Sequence, residues 1–383
     1  MSVSYPDIPP LRVAHADLHD ANVVQHWGFF RRDQLAAHPD ELLMLDIDFG
    51  RACSLACPSC FRRANRVDDC AEPDLSYDEL LAVIDEARTI GLQTIKICGA
   101  GEPLESPLLL QLAEDLTVRN VGLAVFTKGH VLGDDRWTRR VFRRYGIQNG
   151  RDLCQRFFNL KTSFLVSFQS PDTLVQDELV GGIPGYSQKR GRALERLAEA
   201  GFNRCSPTRL AMCANPILRC NNPFLYDIYV YARERNILPV NAALMVSGKQ
   251  IDAHFLGMHD VSMAEKVDLY SRIYKYNLDH GLSTAEQLSE DGVSCMPGIH
   301  PCNQIAAGLY LTCNGTVIRC PGDSGAPLGN VRQESIREIW RRCHEWPYQG
   351  LFNCGCPFKE GRTIPQSLYT QVLEALAVQE ATA

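Results

Sequence analysis

A chain of 383 residues, 45% hydrophobic and 22% charged, has the make-up of a soluble globular protein and exceeds what one core usually organises, so one large domain with an appendage is expected. A net charge of -6, from 39 basic and 45 acidic residues, argues against a nucleic-acid-coating surface. No apolar run reaches the roughly 18 residues of a membrane span, and "MSVSYPDIPPLRVAHADLHD" lacks the charged segment and apolar core of a signal peptide, so a reducing cytoplasmic setting is expected, in which the 16 cysteines act as thiols or metal ligands rather than disulfides.

Residues 1–40 read as an irregular extension, with Trp27, Phe29 and Phe30 docking on the body. "LLMLDIDFG" (42–50) reads as a buried strand running straight into the cysteine-bearing stretch "GRACSLACPSCFRRAN". Helix and strand then alternate. "YDELLAVIDEARTIG" is a helix, "TIKICGAGEP" a strand with a Gly-rich end, "PLLLQLAEDLTVRN" a helix and "VGLAVFTKG" a strand. "SFLVSFQS", "TRLAMCAN" and "ILPVNAALMV" continue the strands, and "KRGRALERLAEAG" and "FLYDIYVYARERN" the helices. This alternation indicates βα units and a parallel sheet, with about six units, fewer than the eight of a closed barrel. Residues 131–162 interrupt the rhythm and read as a helical insertion. The main domain is placed at 41–285. From 286 to 365 the composition turns cysteine-rich, and 366–383 reads as a C-terminal helix. In that second region "AAGLYLTCNGTVIRC" reads as a hairpin, with a type I′ turn at Asn314–Gly315. "ESIREIWRRC" reads as a short helix.

Cys53, Cys57 and Cys60 follow a C-x3-C-x2-C spacing directly after the first strand. A structural zinc site takes four ligands, usually as two pairs, so Cys53 would be surplus to it. A [4Fe–4S] cluster on three thiolates instead leaves one iron without a protein ligand and open to a small molecule. The loop sits where α/β ligand sites form, at the C-terminal edge of the sheet.

These residues resemble the radical S-adenosylmethionine (radical SAM) superfamily, whose hallmark is this spacing after the first strand of a partial (β/α)6 barrel. The aromatic residue that members often carry before the last cysteine is absent; Ser59 stands there and Phe61 follows the cysteine. "CGAGEP" (98–103) resembles the family's G-G-E-P-like turn, with Ala100 in place of one glycine. The resemblance implies that Gly99, Ala100, Gly101 and Glu102 hold the amino group of SAM. It implies further SAM contacts from Thr127 and Lys128 in "FTKG", Ser167 in "LVSFQS" and Asn215 in "AMCAN", with Lys128 standing where an asparagine is usual.

Cys302, Gly315 and Cys320 make a C-x12-G-x4-C pattern that resembles the opening of the family's auxiliary-cluster domains, the longer SPASM form and the shorter twitch form. Too few cysteines follow for two clusters, so a twitch-type domain with one auxiliary [4Fe–4S] cluster is implied, on Cys302, Cys320, Cys354 and Cys356. Cys343 competes with Cys354, and Cys295 is a weaker substitute. A zinc site on the same thiols is the alternative.

The resemblance implies reductive cleavage of SAM to a 5′-deoxyadenosyl radical that removes hydrogen from an unactivated C–H bond, with a flavodoxin- or ferredoxin-type electron donor and no nucleic-acid or membrane partner. Enzymes with such domains modify either ribosomal peptides or the sugars and cyclitols of antibiotics. The roughly 40 residues before the first strand are short for a leader-binding winged-helix domain. A small polyhydroxylated substrate is therefore expected, undergoing diol dehydration, oxidation or epimerisation; peptide modification is the alternative. An iron–sulfur electron carrier is the non-enzymatic reading, against which the large βα body weighs. For acid–base work on the substrate, Lys128 and the arginines of 136–144 are candidates by location. Cys98, Cys205, Cys213, Cys220 and Cys313 read as core thiols.

Overall fold

The structure is a computed structural model and describes residues 3–11, 27, 30, 32–62, 73–245, 247, 250, 252–299, 302, 304–322, 326–343, 356, 359, 361–365 and 367–381. Phe29 and Cys354 lie outside them. Trp27 and Phe30 are buried, as a docked N-terminal segment requires.

Six parallel strands follow in chain order: β1 (Met44–Asp48), β2 (Thr94–Gly99), β3 (Gly122–Thr127), β4 (Ser163–Ser167), β5 (Leu210–Cys213) and β6 (Leu238–Val240). Their apolar runs are buried on both faces, because helices cover the sheet. Helices Tyr77–Arg88, Leu108–Val118, Gly150–Asn159, Tyr186–Glu199 and Asn222–Arg233 make the crossovers. The first opens with a reciprocal Ser76–Glu79 capping box. Within 131–162, the helix Gly150–Asn159 lays Phe157 edge-on against Phe164 of β4 with centroids 5.2 Å apart, so this segment supplies the β3-to-β4 crossover itself.

The sheet runs β6-β5-β4-β3-β2-β1-β7-β8-β9, where β7 is Gly308–Leu311, β8 Thr316–Ile318 and β9 Gly329–Asn330. The barrel is therefore partial and open, as expected. The C-terminal hairpin is not a separate sheet. β7 runs parallel to β1, in the register Met44↔Gly308 to Ile47↔Leu311, and extends the barrel at that edge. Glycine is required at 308, because a Cβ there would lie 2.1 Å from the Met44 carbonyl oxygen.

The hairpin turn departs from the type I′ turn expected at Asn314–Gly315. Gly315 has φ +87°, but Asn314 keeps a negative φ. The Gly315 N–H donates to the Thr312 carbonyl (3.1 Å) and the Thr312 N–H to that of Thr316 (2.9 Å). This is a three-residue loop with one left-handed glycine. The Asn314 Oδ1 accepts from the Thr312 hydroxyl (2.7 Å), which ties the side chain into the loop instead.

The strand expected from "ILPVNAALMV" shrinks to the three residues of β6, since β6 ends the sheet and pairs only with Ala211–Cys213. Beyond it, the carbonyls of Ala243 and Leu244 accept from Lys359 Nζ (2.9 Å) and Thr363 Oγ1 (2.7 Å), so the C-terminal segment takes the place of a strand. Among the described residues no helix is long and apolar enough to cross a membrane.

Candidate functional site

Parallel strands end on the same side, so the loops after them converge. Here they surround an open cavity of about 170 Å³ bordered by Cys53, Cys57 and Cys60 after β1, Gly99 to Glu102 after β2, Thr127 and Lys128 after β3, Ser167 of β4 and Asn215 after β5. Every residue singled out from the first cysteine loop and the strand ends thus meets at one site.

The cysteine loop is held by backbone. The Gly101 N–H donates to the Gly50 carbonyl (2.9 Å) and the Glu102 N–H to that of Ala52 (2.8 Å), so the turn after β2 lies directly under the loop. A Cβ at Gly101 would come within 2.2 Å of the Ala52 oxygen, which is why this position takes glycine. Between Cys53 and Cys57, Ser54 donates to Glu105 from its N–H (3.1 Å) and its hydroxyl (2.6 Å), and His130 Nε2 lies 3.1 Å from the same carboxylate. Cys53 and Cys57 also pack on Leu55, Val180 and Tyr186. Burial pushes the Cys53 thiol up to about 11.

Glu102 is buried at 3% exposure and accepts from the Thr127 hydroxyl, the Lys128 N–H (2.8 Å) and the Leu104 N–H (3.3 Å). Burial raises its pKa, an effect that His130 and these donors only partly offset. A buried carboxylate of this kind is suited to receive a ligand cation. On the opposite wall Lys128 Nζ donates to Ser167 Oγ (3.0 Å) and Gln169 Oε1 (3.3 Å), and Gln169 Nε2 donates to the Asn215 carbonyl (3.1 Å). Among the described residues the buried Asn215 Oδ1 has no hydrogen-bond partner, and it borders the cavity, where a polar ligand would satisfy it.

The donor set fits an iron–sulfur cluster. Three thiols spread around one cavity suit a multi-iron cluster, in which each thiolate takes a different iron. The glycine cradle and the unpartnered Asn215 oxygen likewise fit a bound small molecule.

In the C-terminal region the fold gathers Cys295, Cys302 and Cys356. Cys302 is held below the ordinary thiol range by a hydrogen bond from Cys295, with Lys96 adding positive potential, and Cys295 is pushed up by its bonds to Cys302 and Cys356. Cys320 is buried near Gly322 and Met245, and Cys343 is buried beside Arg342.

Residues 302–351 match the model of SPASM, an iron–sulfur cluster-binding domain. No curated protein matches the chain. Among solved structures, anSMEcpe with bound AdoMet is 14% identical at TM-score 0.54, over 88% of this chain and 97% of that one. Streptococcus suis SuiB bound to precursor peptide SuiA is 16% identical at TM-score 0.52, over 80% and 67%. The chain has the radical SAM fold with a SPASM-type domain. BtrN in complex with AdoMet and 2-DOIA, 13% identical over 79% and 83%, reaches a TM-score of only 0.37 and adds nothing to this.

Within this radical SAM fold two features escape the sequence motifs. Arg62, two residues past Cys60, borders the cavity, pairs with buried Asp48 (2.5 Å) and lies over the Tyr310 ring (5.1 Å), while the Tyr310 hydroxyl donates to Asp48. This ties the SPASM-side strand β7 to the cysteine loop, and no local pattern announces it. Gln250 borders the cavity and donates to the Ser59 carbonyl (2.6 Å) from far along the chain. The candidate arginines of 136–144 are corrected by the structure. None borders this cavity; Arg136, Arg139, Arg140 and Arg143 line a separate concavity, because the helix carrying them lies outside the strand ends.

Proposed function

We propose that this protein is a radical SAM enzyme acting on a small polyhydroxylated molecule, of sugar, aminoglycoside or nucleoside type, by diol dehydration or alcohol oxidation. The observation that carries the reading is the cavity, in which three thiols face a wall of uncharged hydrogen-bonding groups, Ser167, Gln169 and Asn215, with Lys128 among them. A [4Fe–4S] cluster together with SAM would supply a carbon radical able to take hydrogen from an unactivated C–H bond. Cys53, Cys57 and Cys60 hold that cluster. Glu102 takes the ammonium of SAM, with Thr127 and the Lys128 N–H fixing the carboxylate, and the turn from Gly99 through Ala100 and Gly101 lets the backbone approach closely. Ser167 and Asn215 serve the ribose. Lys128 stands among these groups, placed to hold or move a proton at a substrate hydroxyl.

Cys302, Cys320, Cys354 and Cys356 are proposed to hold an auxiliary [4Fe–4S] cluster, with Cys295 as a further candidate because it bonds to two of them. Held there, such a cluster would supply an acceptor for the electron that oxidation of the substrate removes. Peptide modification is the second reading, favoured by the fold shared with SuiB, which was solved with its precursor peptide.

The test is anaerobic reconstitution followed by dithionite, SAM and panels of aminocyclitols, nucleosides and peptides. Release of 5′-deoxyadenosine, stimulated by a polyol that leaves lighter by two hydrogens or one water, is the expected result. Stimulation by peptides alone would transfer the substrate assignment, and zinc without iron would sink the radical reading.

A further inference from the structure

The helix Asp135–Phe142 and the turn after it carry Arg136, Arg139, Arg140, Arg143 and Arg144, in a chain of net charge -6. The first four recur at i, i+3, i+4 and i+7 and share one helix face. All five are exposed. Among the described residues none of them meets a carboxylate. Arg139 donates to the Gln148 carbonyl, Arg144 to the Tyr145 hydroxyl, and Arg140 lies over the Trp137 ring at 5.3 Å. The adjacent acids are committed elsewhere, Asp134 to Lys189 (2.9 Å) and Asp135 to Arg196 (2.9 Å). Like charges at i, i+4 destabilise a helix, so this face works against its own local stability. Four of the arginines, with Asp134 and Trp137, line an open, shallow concavity.

The position of the face gives it a use. The Trp137 ring meets the His130 ring edge-on, with centroids 4.9 Å apart. His130 Nε2 lies 3.4 Å from the Ser54 hydroxyl, and Ser54 follows Cys53. Arg144 reaches the Pro107 carbonyl, just past Glu105, at 3.5 Å. The cationic face is thus separated from the cysteine loop by two rings, and on the outer side of the wall. An anion bound there cannot present a C–H bond to the cavity, but a carrier docked there is close to the loop.

We propose that this face docks an acidic one-electron carrier protein, which passes its electron to the cluster held by Cys53, Cys57 and Cys60. The proposal rests on the radical SAM reading, whose chemistry takes one electron per SAM cleaved. The carrier is oxidised by one electron and the cluster reduced by one. Opposite charge steers such encounters, which makes them sensitive to salt.

The test uses the reconstituted holoenzyme, a reduced bacterial flavodoxin as probe, and the double variant Arg139→Glu/Arg140→Glu, with Arg139→Gln/Arg140→Gln as the milder form. Flavodoxin-driven release of 5′-deoxyadenosine at low salt should fall roughly 10-fold or more in the Glu variant, with Kd for flavodoxin rising similarly. Its dithionite-driven rate and melting temperature should not change. Added salt should slow the wild type with flavodoxin and leave the variant nearly unaffected. An unchanged flavodoxin rate and Kd would overturn the proposal. So would an equal loss with dithionite, which would place the face in substrate handling. If the wild type releases no 5′-deoxyadenosine with dithionite, the radical reading fails, and the flavodoxin Kd of the iron-loaded variants still decides the docking face.

Discussion

Glu102 shows how one buried residue carries both strain and use. Its carboxylate is enclosed and already accepts three hydrogen bonds, yet burial keeps its pKa raised. A ligand ammonium would supply the missing counter-charge. Glu102→Gln keeps the shape and removes the charge, so Kd for SAM should rise about 10- to 100-fold, the worth of a charge-assisted bond of about 1.5–3 kcal/mol. Iron content should stay unchanged, as equilibrium dialysis and iron analysis of one preparation would show. The sign of the pH dependence follows from the raised pKa. The charged form exists above it, so SAM affinity should fall on acidification, and from a higher pH than for an ordinary carboxyl, while the Gln variant stays flat. The acid was legible from "CGAGEP". Its support by Thr127 and the Lys128 N–H was not, because those groups arrive from the next strand.

At the level of elements, the cysteine loop and the turn after β2 act as one unit, through backbone bonds from Gly101 and Glu102 to Gly50 and Ala52. Gly101→Ala must push that contact apart, so it should destabilise the protein by about 1–3 kcal/mol and lower the melting temperature. Cys57→Ala should leave the loop in place but lose about half of about eight irons, the complement of two [4Fe–4S] clusters, together with all 5′-deoxyadenosine release. In the C-terminal region, Cys302→Ala and Cys356→Ala should each remove about four irons and spare SAM cleavage without substrate. Iron analysis of Cys295→Ala alongside them tests whether the neighbour gathered by the fold is itself a ligand. The C-x3-C-x2-C loop could be read locally because its ligands are close in sequence. The Cys295–Cys302–Cys356 group could not, because its last member is more than fifty positions away.

At the scale of the whole molecule, the SPASM-side strand β7 extends the barrel sheet beside β1, and Tyr310 reaches across to the Asp48–Arg62 pair. The cysteine loop and the SPASM-matching segment are therefore tied together. Tyr310→Phe removes a donor from a buried carboxylate and should cost about 1–3 kcal/mol. Denaturant unfolding followed by circular dichroism and by loss of cluster absorbance should give coincident transitions, since β7 pairs with β1 and Tyr310 bonds to Asp48 across the two parts.

The order of βα units, the open parallel barrel and the first thiol motif were written in the sequence, because periodicity and short-range spacing act locally. The meeting of the strand-end residues around one cavity followed from that order, since parallel strands must end on one side. Tertiary structure alone decided the rest. It joined β7 to β1, brought Arg62 and Gln250 to the cavity, cut β6 to three residues where the sheet runs out of partners, and turned the Arg136–Arg144 face away from the site. Each of these depends on which distant backbone or side chain fills a space, and that is settled only when the whole sheet is assembled.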